Sequence, residues 1–399
     1  MGGELRVAAV AALAAVAALA LPLGADGAKK KGKPPKVTVM TRNLYLGSDL
    51  TAALVAPNPV EASEAAGQIW RNIQETNFIA RAKPLAQEIV DANADAVGLQ
   101  EVALVRRDTA GEADGSATPA TEVVYDFLHQ VRSELRARGV NYRVASAQGE
   151  GDLELPLDFV DDGTPTGVAY DGRLTIRDVI LVKDSKRLKF SRERSSNYEA
   201  AFPVDVPPTG AGPEDLEILR GFNAVDVVKR KRAARKRGAA SAGRKRSVGK
   251  AKFRFVNTHL EAISAFFRAE QASELVASGA LDQPRQTVLV GDLNSDPEDP
   301  DVQGPPFSPT PTADAAAYNT IADAGFVDVG VTVNTCCHAN DLLNPPPAAF
   351  SSRIDHILVN PSRTRLGGAL VGADPVMRTP TGLWPSDHGG VFSTLKLKR

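Results

Sequence analysis

Sulfur, histidine and tryptophan are scarce in this chain: its 399 residues include two cysteines, three methionines, two tryptophans and five histidines. Two cysteines cannot build a disulfide framework, and Cys336 and Cys337 are adjacent, so they cannot staple distant parts of a fold. A local disulfide or an inert pair is expected. His338 follows them, yet three consecutive side chains do not readily surround one ion, which argues against a zinc site. A dominant charge is missing too: 47 Lys and Arg stand against 48 Asp and Glu, so net charge names no partner. Past residue 23 no apolar run is long enough to span a bilayer.

What is present is enough apolar material for a large core, 43% of the chain, at a length that suits one large domain or two ordinary ones. Arg6 precedes an uncharged apolar run over residues 7–23, and small residues around Ala25, Gly27 and Ala28 offer a cleavage-like site. Residues 1–27 therefore read as a secretory signal peptide, a retained membrane anchor being the alternative. Residues 28–35, rich in Lys and Gly, read as a flexible basic lead-in. The remainder, 36–399, reads as a single exported domain with a basic insert at 229–252.

The recurring pattern is an apolar strand that ends in a polar side chain. Val288-Leu289-Val290 reads as a buried strand, Gly291 frees the backbone to turn, and Asp292 and Asn294 follow at a spacing that points both the same way. Such a pair offers oxygens to a hard cation and an amide donor to a phosphate or a water. The strand 36–40 leads to Asn43, and the strand 96–102 runs into Glu101, a carboxylate too costly to bury without a cation or solvent. The strand 253–258 delivers His259, flanked by Asn257 and Glu261. Asp355 interrupts the apolar strand 352–359 and calls for a buried partner, and His388, beside Asp387 at the entrance of the last strand, 391–397, would suit it.

Between these points the periodicity predicts helices over 61–93, restarted at Pro84, and over 122–138, 265–278 and 313–324. Strands are expected at 142–146, 173–182, 222–228 and 327–329, and the acidic, turn-rich stretch 149–172 as a long loop. Arg177 and Asp178, midway along one strand, are candidates for substrate contact, against an ordinary ion pair. Residues 229–252 carry twelve Lys or Arg and no acid. Such a run serves either as a solvated insert or as an arm for a polyanion, and it has no aromatic residue to stack on bases.

Six motifs now stand in order: Asn43; Gln100-Glu101; Asn257-Thr258-His259-Leu260; Gly291-Asp292-Leu293-Asn294-Ser295; Arg353-Ile354-Asp355; and Ser386-Asp387-His388. Together they resemble the endonuclease/exonuclease/phosphatase superfamily, over nearly all of the chain beyond residue 36. The resemblance implies an α/β four-layer sandwich of two mainly antiparallel sheets flanked by helices. It implies Glu101 as the main ligand of Mg²⁺, or of Mn²⁺ or Ca²⁺, with Asn43 and Asp387 close to the metal. Asp292 and Asn294 would orient water and phosphate, and His259 and the Asp355-held His388 would flank phosphorus. The basic insert, the acidic stretch and the Cys-Cys loop depart from the shared pattern.

The same chemistry follows from residue types. Phosphate esters resist attack because their oxygens are anionic, so a cation and donor groups must neutralise growing charge. A carboxylate-held histidine keeps one tautomer and exchanges a proton near neutral pH. Oxygen donors without a thiolate suit a hard metal rather than zinc. The expectation is a secreted, metal-dependent, monomeric phosphoesterase, nuclease-like on phosphodiesters and touching nucleic acid through the insert. A sphingomyelinase, phospholipase C or phosphomonoesterase activity, or a silent polyanion-binding module, are its rivals.

Overall fold

The computed structural model describes residues 35–108, 119–160, 163–164, 167–204, 216–231, 249–281, 286–361 and 363–397. The signal peptide expected at 1–27, all but the last residue of the lead-in expected at 28–35, and residues 232–248 of the basic run lie outside the described residues.

Two large sheets face one another. The eight-stranded sheet runs Thr364–Val371, Gly390–Lys396, Val37–Asn43, Ala96–Gln100, Val168–Lys183, Leu104–Arg107, Glu122–Asp126, with Tyr142–Asp158 also paired to Val168–Lys183. The six-stranded sheet runs Val327–Asp328, Asp355–Asn360, Gln286–Asp292, Lys250–His259, Gly221–Arg230, Leu188–Asn197. Each contains one parallel pair, Val37–Asn43 with Ala96–Gln100 and Lys250–His259 with Gln286–Asp292, and the other neighbours are antiparallel. The expectation of mainly antiparallel sheets holds.

Strict alternation explains the layering. Ile180 and Val182 face the second sheet, while Val179 and Leu181 face helices. In the second sheet Phe253, Phe255, Val288 and Val290 point inward, while Val256 and Leu289 point to a separate helical layer. Strands buried on both faces must read as near-continuous apolar runs, as these do. Burying Phe253 or Phe255 contributes about 1.5–3 kcal/mol each. Helices Pro59–Glu75, Phe78–Ala92 and Phe127–Ala137 cover one outer face, and Ala265–Ala277 and Ala316–Asp323 the other, which makes four layers.

Several expected elements differ in extent. The helix at 61–93 is two helices that break at Thr76–Asn77, not at Pro84, which lies inside the second. Asn77, at φ 37°, takes the left-handed conformation and caps the new helix by accepting from the Ala80 amide at 3.1 Å. The helix expected from residue 122 starts at Phe127, because Glu122–Asp126 pairs as a strand and Asp126 caps the helix. The stretch 149–172 is not a long loop. It continues a hairpin, Tyr142–Asp158 with Val168–Lys183, whose turn-forming Gly149 and Gly151 sit at a register shift. Its acids face arginines across the strands: Asp152 bonds Arg106 at 3.0 Å and also pairs with Arg173. Among the described residues no helix is long and apolar enough to cross a membrane.

Candidate active site

Register alone gathers most of the site. Asn43 pairs with Gln100 in the first sheet, so Glu101 emerges beside it. In the second sheet His259 pairs with Asp292, and Asp292 with Asp355, which puts three polar groups in one row at the strand ends. The sheets are joined below this row by buried amides: Gln100 donates to the Asn257 side chain at 2.6 Å, and Asn257 donates to the Leu99 carbonyl at 3.3 Å. Gly98 makes room for that contact, since a Cβ there would lie 2.2 Å from Asn257 Oδ1.

Across the sheets, the Asn43 amide donates to both Glu101 (2.9 Å) and Asp292 (3.0 Å). Glu101 also accepts the Leu46 amide at 2.8 Å. Three non-glycine residues here have left-handed backbone: Tyr45 (φ 61°), Glu101 (φ 55°) and Asn294 (φ 48°). Strained conformations of this kind collect where a side chain must be aimed. Beneath the loop, the buried Arg81 guanidinium donates to the carbonyls of Leu44 (2.8 Å), Thr76 (2.7 Å) and Pro385 (3.0 Å), fixing the segments that carry Tyr45 and Asp387.

His388 Nδ1 lies 2.9 Å from Asp355, and its Nε2 stands 3.5 Å from Asp292 and 4.0 Å from Asp387. Burial by itself draws the imidazole down, but Asp355, Asp292 and Asp387 outweigh it and hold His388 well above its ordinary value. His259 goes the other way: burial, then the nearby Arg220 guanidinium and His388, keep it neutral. Asp292 is pushed up to about 6 by burial, and Asp387 likewise to about 6, with His388 opposing the rise in both. Asn294 donates its backbone amide to Asp292 at 2.9 Å and its side-chain amide to the Leu260 carbonyl at the same distance.

Glu101, His259, Asp292, Asn294, Asp387 and His388 line one cleft. Asn43 and Asp355 stand just behind it and are 0% and 1% exposed. Arg177 and Asp178, the two candidates for substrate contact, do not line it. The Arg177 guanidinium is taken up by the Val102 and Ala103 carbonyls at 3.0 and 3.2 Å and by Asp126 at 2.9 Å. Asp178 is fully buried, and burial drives its carboxyl well above the usual range. Sequence reasoning missed Arg220, which lines the cleft with its guanidinium 3.1 Å from His259 and within 3.8 Å of the buried Glu150 and Glu261. The available signal was its place before the strand Gly221–Arg230, whose first residue pairs with His259. Cys336 and Cys337 are joined as a vicinal disulfide, the Cys336 sulfur lying 3.4 Å from His388 Nε2.

Glu101, Asp292 and Asp387 converge without an ion pair to any Lys or Arg among the described residues. Three carboxylates, with the His388 imidazole 3.5 Å from one and 4.0 Å from another, offer hard oxygen donors that fit a hard divalent cation.

The profile of the Endonuclease/Exonuclease/phosphatase family matches residues 72–388. The chain belongs to the endonuclease/exonuclease/phosphatase family. It is thereby a hydrolase of phosphate ester bonds, in a family that is generally divalent-metal dependent. Among solved structures, a family member from Bacteroides thetaiotaomicron is 17% identical, with a TM-score of 0.48, covering 91% of this chain and 98% of that one. A mannosyl-6-phosphatase from Bacteroides thetaiotaomicron VPI-5482 is 18% identical, with a TM-score of 0.46 and coverage of 90% and 99%. The D. rerio TDP2 complexed with single-strand DNA product is 16% identical, with a TM-score of 0.42 and coverage of 90% and 98%. No curated protein matches the chain.

Proposed function

We propose that this protein is a secreted, monomeric, divalent-metal phosphoesterase that favours phosphodiesters. The observation that carries the reading is the convergence of Glu101, Asp292 and Asp387 on one cleft, beside a histidine held by Asp355. Glu101 would be the principal ligand of Mg²⁺, Mn²⁺ or Ca²⁺, with Asn43 and Asp387 beside it. When bound, such an ion supplies positive charge to the phosphate oxygens and acidifies water.

The chain's own groups divide the remaining work. Asp292, pushed up to about 6 by burial, is matched to accept the proton of an attacking water near neutral pH. Asn294, with its backbone bonded to Asp292, aims that carboxylate, and its side chain sits at the cleft wall. His388 enters the reaction charged, so it stabilises anionic oxygen and supplies a proton to the departing alcohol. Asp355 fixes the orientation of its ring. Neutral His259, oriented by Arg220, offers a further donor to the phosphate.

Nucleic acid is the polyanion favoured by the basic run. The hairpin that carries this run pairs Gly221 with His259 at the cleft and Arg230 with Lys250 at its far end. At about 3.3 Å per residue the described ends of the run, Arg230 and Lys250, stand about 30 Å along the strands from His259. A basic segment so placed acts on a long polymer, through counterion release, and not on a single scissile phosphate. The experiment is a panel of DNA, RNA, sphingomyelin and inositol phosphates assayed with Mg²⁺ and with chelator. Metal-dependent cleavage of DNA or RNA supports the nuclease reading; release of phosphocholine with DNA intact would sink it.

A further inference from the structure

The Cys336–Cys337 disulfide takes no part in the proposed hydrolysis, yet it lies against a group central to it. Cys336 is fully buried, with its sulfur 3.4 Å from His388 Nε2 across 52 residues of sequence. Cys337 is exposed and lines the cleft, so a solute there can reach the bond. The sulfurs do not owe their position to that bond alone. His338 donates its amide to the Asp387 carbonyl at 2.8 Å and Gly389 donates to the Thr335 carbonyl at 2.6 Å, so two backbone hydrogen bonds bracket the pair against His388. On its other side Cys336 bridges to Ser352, whose carbonyl accepts the Cys336 amide at 3.0 Å. A ligand atom from each of Cys336, Cys337 and His388 lies within 4.8 Å of the other two. The histidine is also set up to ligate: Asp355 holds its Nδ1 at 2.9 Å, the carboxylate–imidazole pairing that orients Nε2 in metal sites. His338, next in sequence, is no member of this group, and its ring stacks on Trp384 with centroids 4.5 Å apart.

We propose that reduction of this disulfide by a dithiol turns the two sulfurs and His388 Nε2 into a site for Zn²⁺ or another thiophilic divalent ion, and that the bound ion withdraws His388 from hydrolysis. The dithiol gives up two hydrogens and becomes a disulfide, and the Cys336–Cys337 bond opens to two thiols. The incoming ion then displaces the thiol protons and the proton on Nε2 to solvent. Two thiolates and an imidazole are donors that zinc prefers, and its fourth position is left to water or to the Asp292 carboxylate, 3.5 Å from the same nitrogen. The oxidised pair offers no thiolate, so the site exists only in the reduced protein. The loss of hydrolysis rests on the role given to His388 above; the site itself does not.

The test compares the oxidised full-length protein with the same protein reduced by a phosphine, which is then removed. The phosphine should release two thiols. Co²⁺, a spectroscopic stand-in for Zn²⁺, should then bind with a thiolate-to-metal charge-transfer band in the near ultraviolet, absent from the oxidised protein and abolished by Zn²⁺. Asp355→Asn should weaken that binding by about 10–100-fold, the usual cost of losing the carboxylate behind a ligating histidine. On a small diester with Mg²⁺, Zn²⁺ should inhibit the reduced protein at concentrations that leave the oxidised protein active. A reduced protein without the band would overturn the site. So would a band that Asp355→Asn leaves at full affinity, since the ion would then sit on the cysteines without His388. A band accompanied by hydrolysis that Zn²⁺ does not touch would support the site and instead overturn the role given to His388.

Discussion

His388 Nδ1 lies 2.9 Å from Asp355, across 33 residues of sequence, and both side chains are at least nine-tenths buried. The bond orients the ring so that Nε2 faces Asp292. Asp355→Asn should keep the fold and lower activity on a small diester by about 10²–10⁴-fold, the scale of a misplaced acid–base group. It should also lower the His388 pKa, since Asp355 is the leading group that raises it. Steady-state kinetics with circular dichroism, and a histidine NMR titration, are the measurements. Unchanged kcat/KM would remove the dyad from the mechanism.

Glu101 carries the proposed metal role, and its test has two readouts. In the wild type, chelator should abolish hydrolysis, and Mg²⁺ at 100 times its Kd should stabilise the fold by about 2.7 kcal/mol. Glu101→Gln should lose both the activity and the Mg²⁺-dependent rise in Tm. A variant whose Tm still climbs with Mg²⁺ would place the ion on other ligands.

Gly98 is a packing prediction. Its absent side chain is occupied by Asn257 of the opposite sheet, with a new Cβ falling 2.2 Å from Oδ1 and 2.6 Å from a Val290 methyl. Neither neighbour has free space, so Gly98→Ala should destabilise by about 1–3 kcal/mol. Denaturant titration would show it as a lower midpoint at unchanged slope. Activity of the folded fraction should fall as well, because Asn257 and Gln100 hold the two halves of the site together.

Asp328 supplies the pH dependence of stability. Burial would raise its carboxyl, but bonds from His356 at 2.9 Å, the Gly330 amide at 2.7 Å and Arg353 at 3.0 Å hold it below the usual range. A folded pKa below the unfolded value means stability present above about pH 3.9 and lost as pH falls through the folded value. Asp328→Asn should therefore be less stable than wild type at pH 7, with the gap closing below about pH 4. Chemical denaturation at a series of pH values measures it, and a gap that widens in acid would contradict the assignment.

Much of the site was legible because each group closes an apolar run. Glu101, Asp292 and Asp355 stand out in sequence as charges where burial forbids unpaired charge, and all three lie at strand ends on one cleft or directly behind it. Arg220 and Glu150 were not legible, because their meaning depends on a fold that draws them to the same histidine from strands far apart in the chain. The long hairpin was hidden by its own glycines, which read as loop formers but sit at bulges. Arg177 looked available for substrate, yet backbone carbonyls, invisible in a sequence, had claimed it.

The hairpin formed by Gly221–Arg230 and Lys250–His259 also separates two kinds of freedom. Its far end is already zipped, with the Lys231 amide donating to the Gly249 carbonyl at 2.9 Å. A segment joining residues held so close meets only the slow logarithmic rise of loop closure, about 0.6 kcal/mol for each doubling of its length. That end of the molecule can thus be rewritten, lengthened or replaced by a reporter domain while the catalytic end keeps its register.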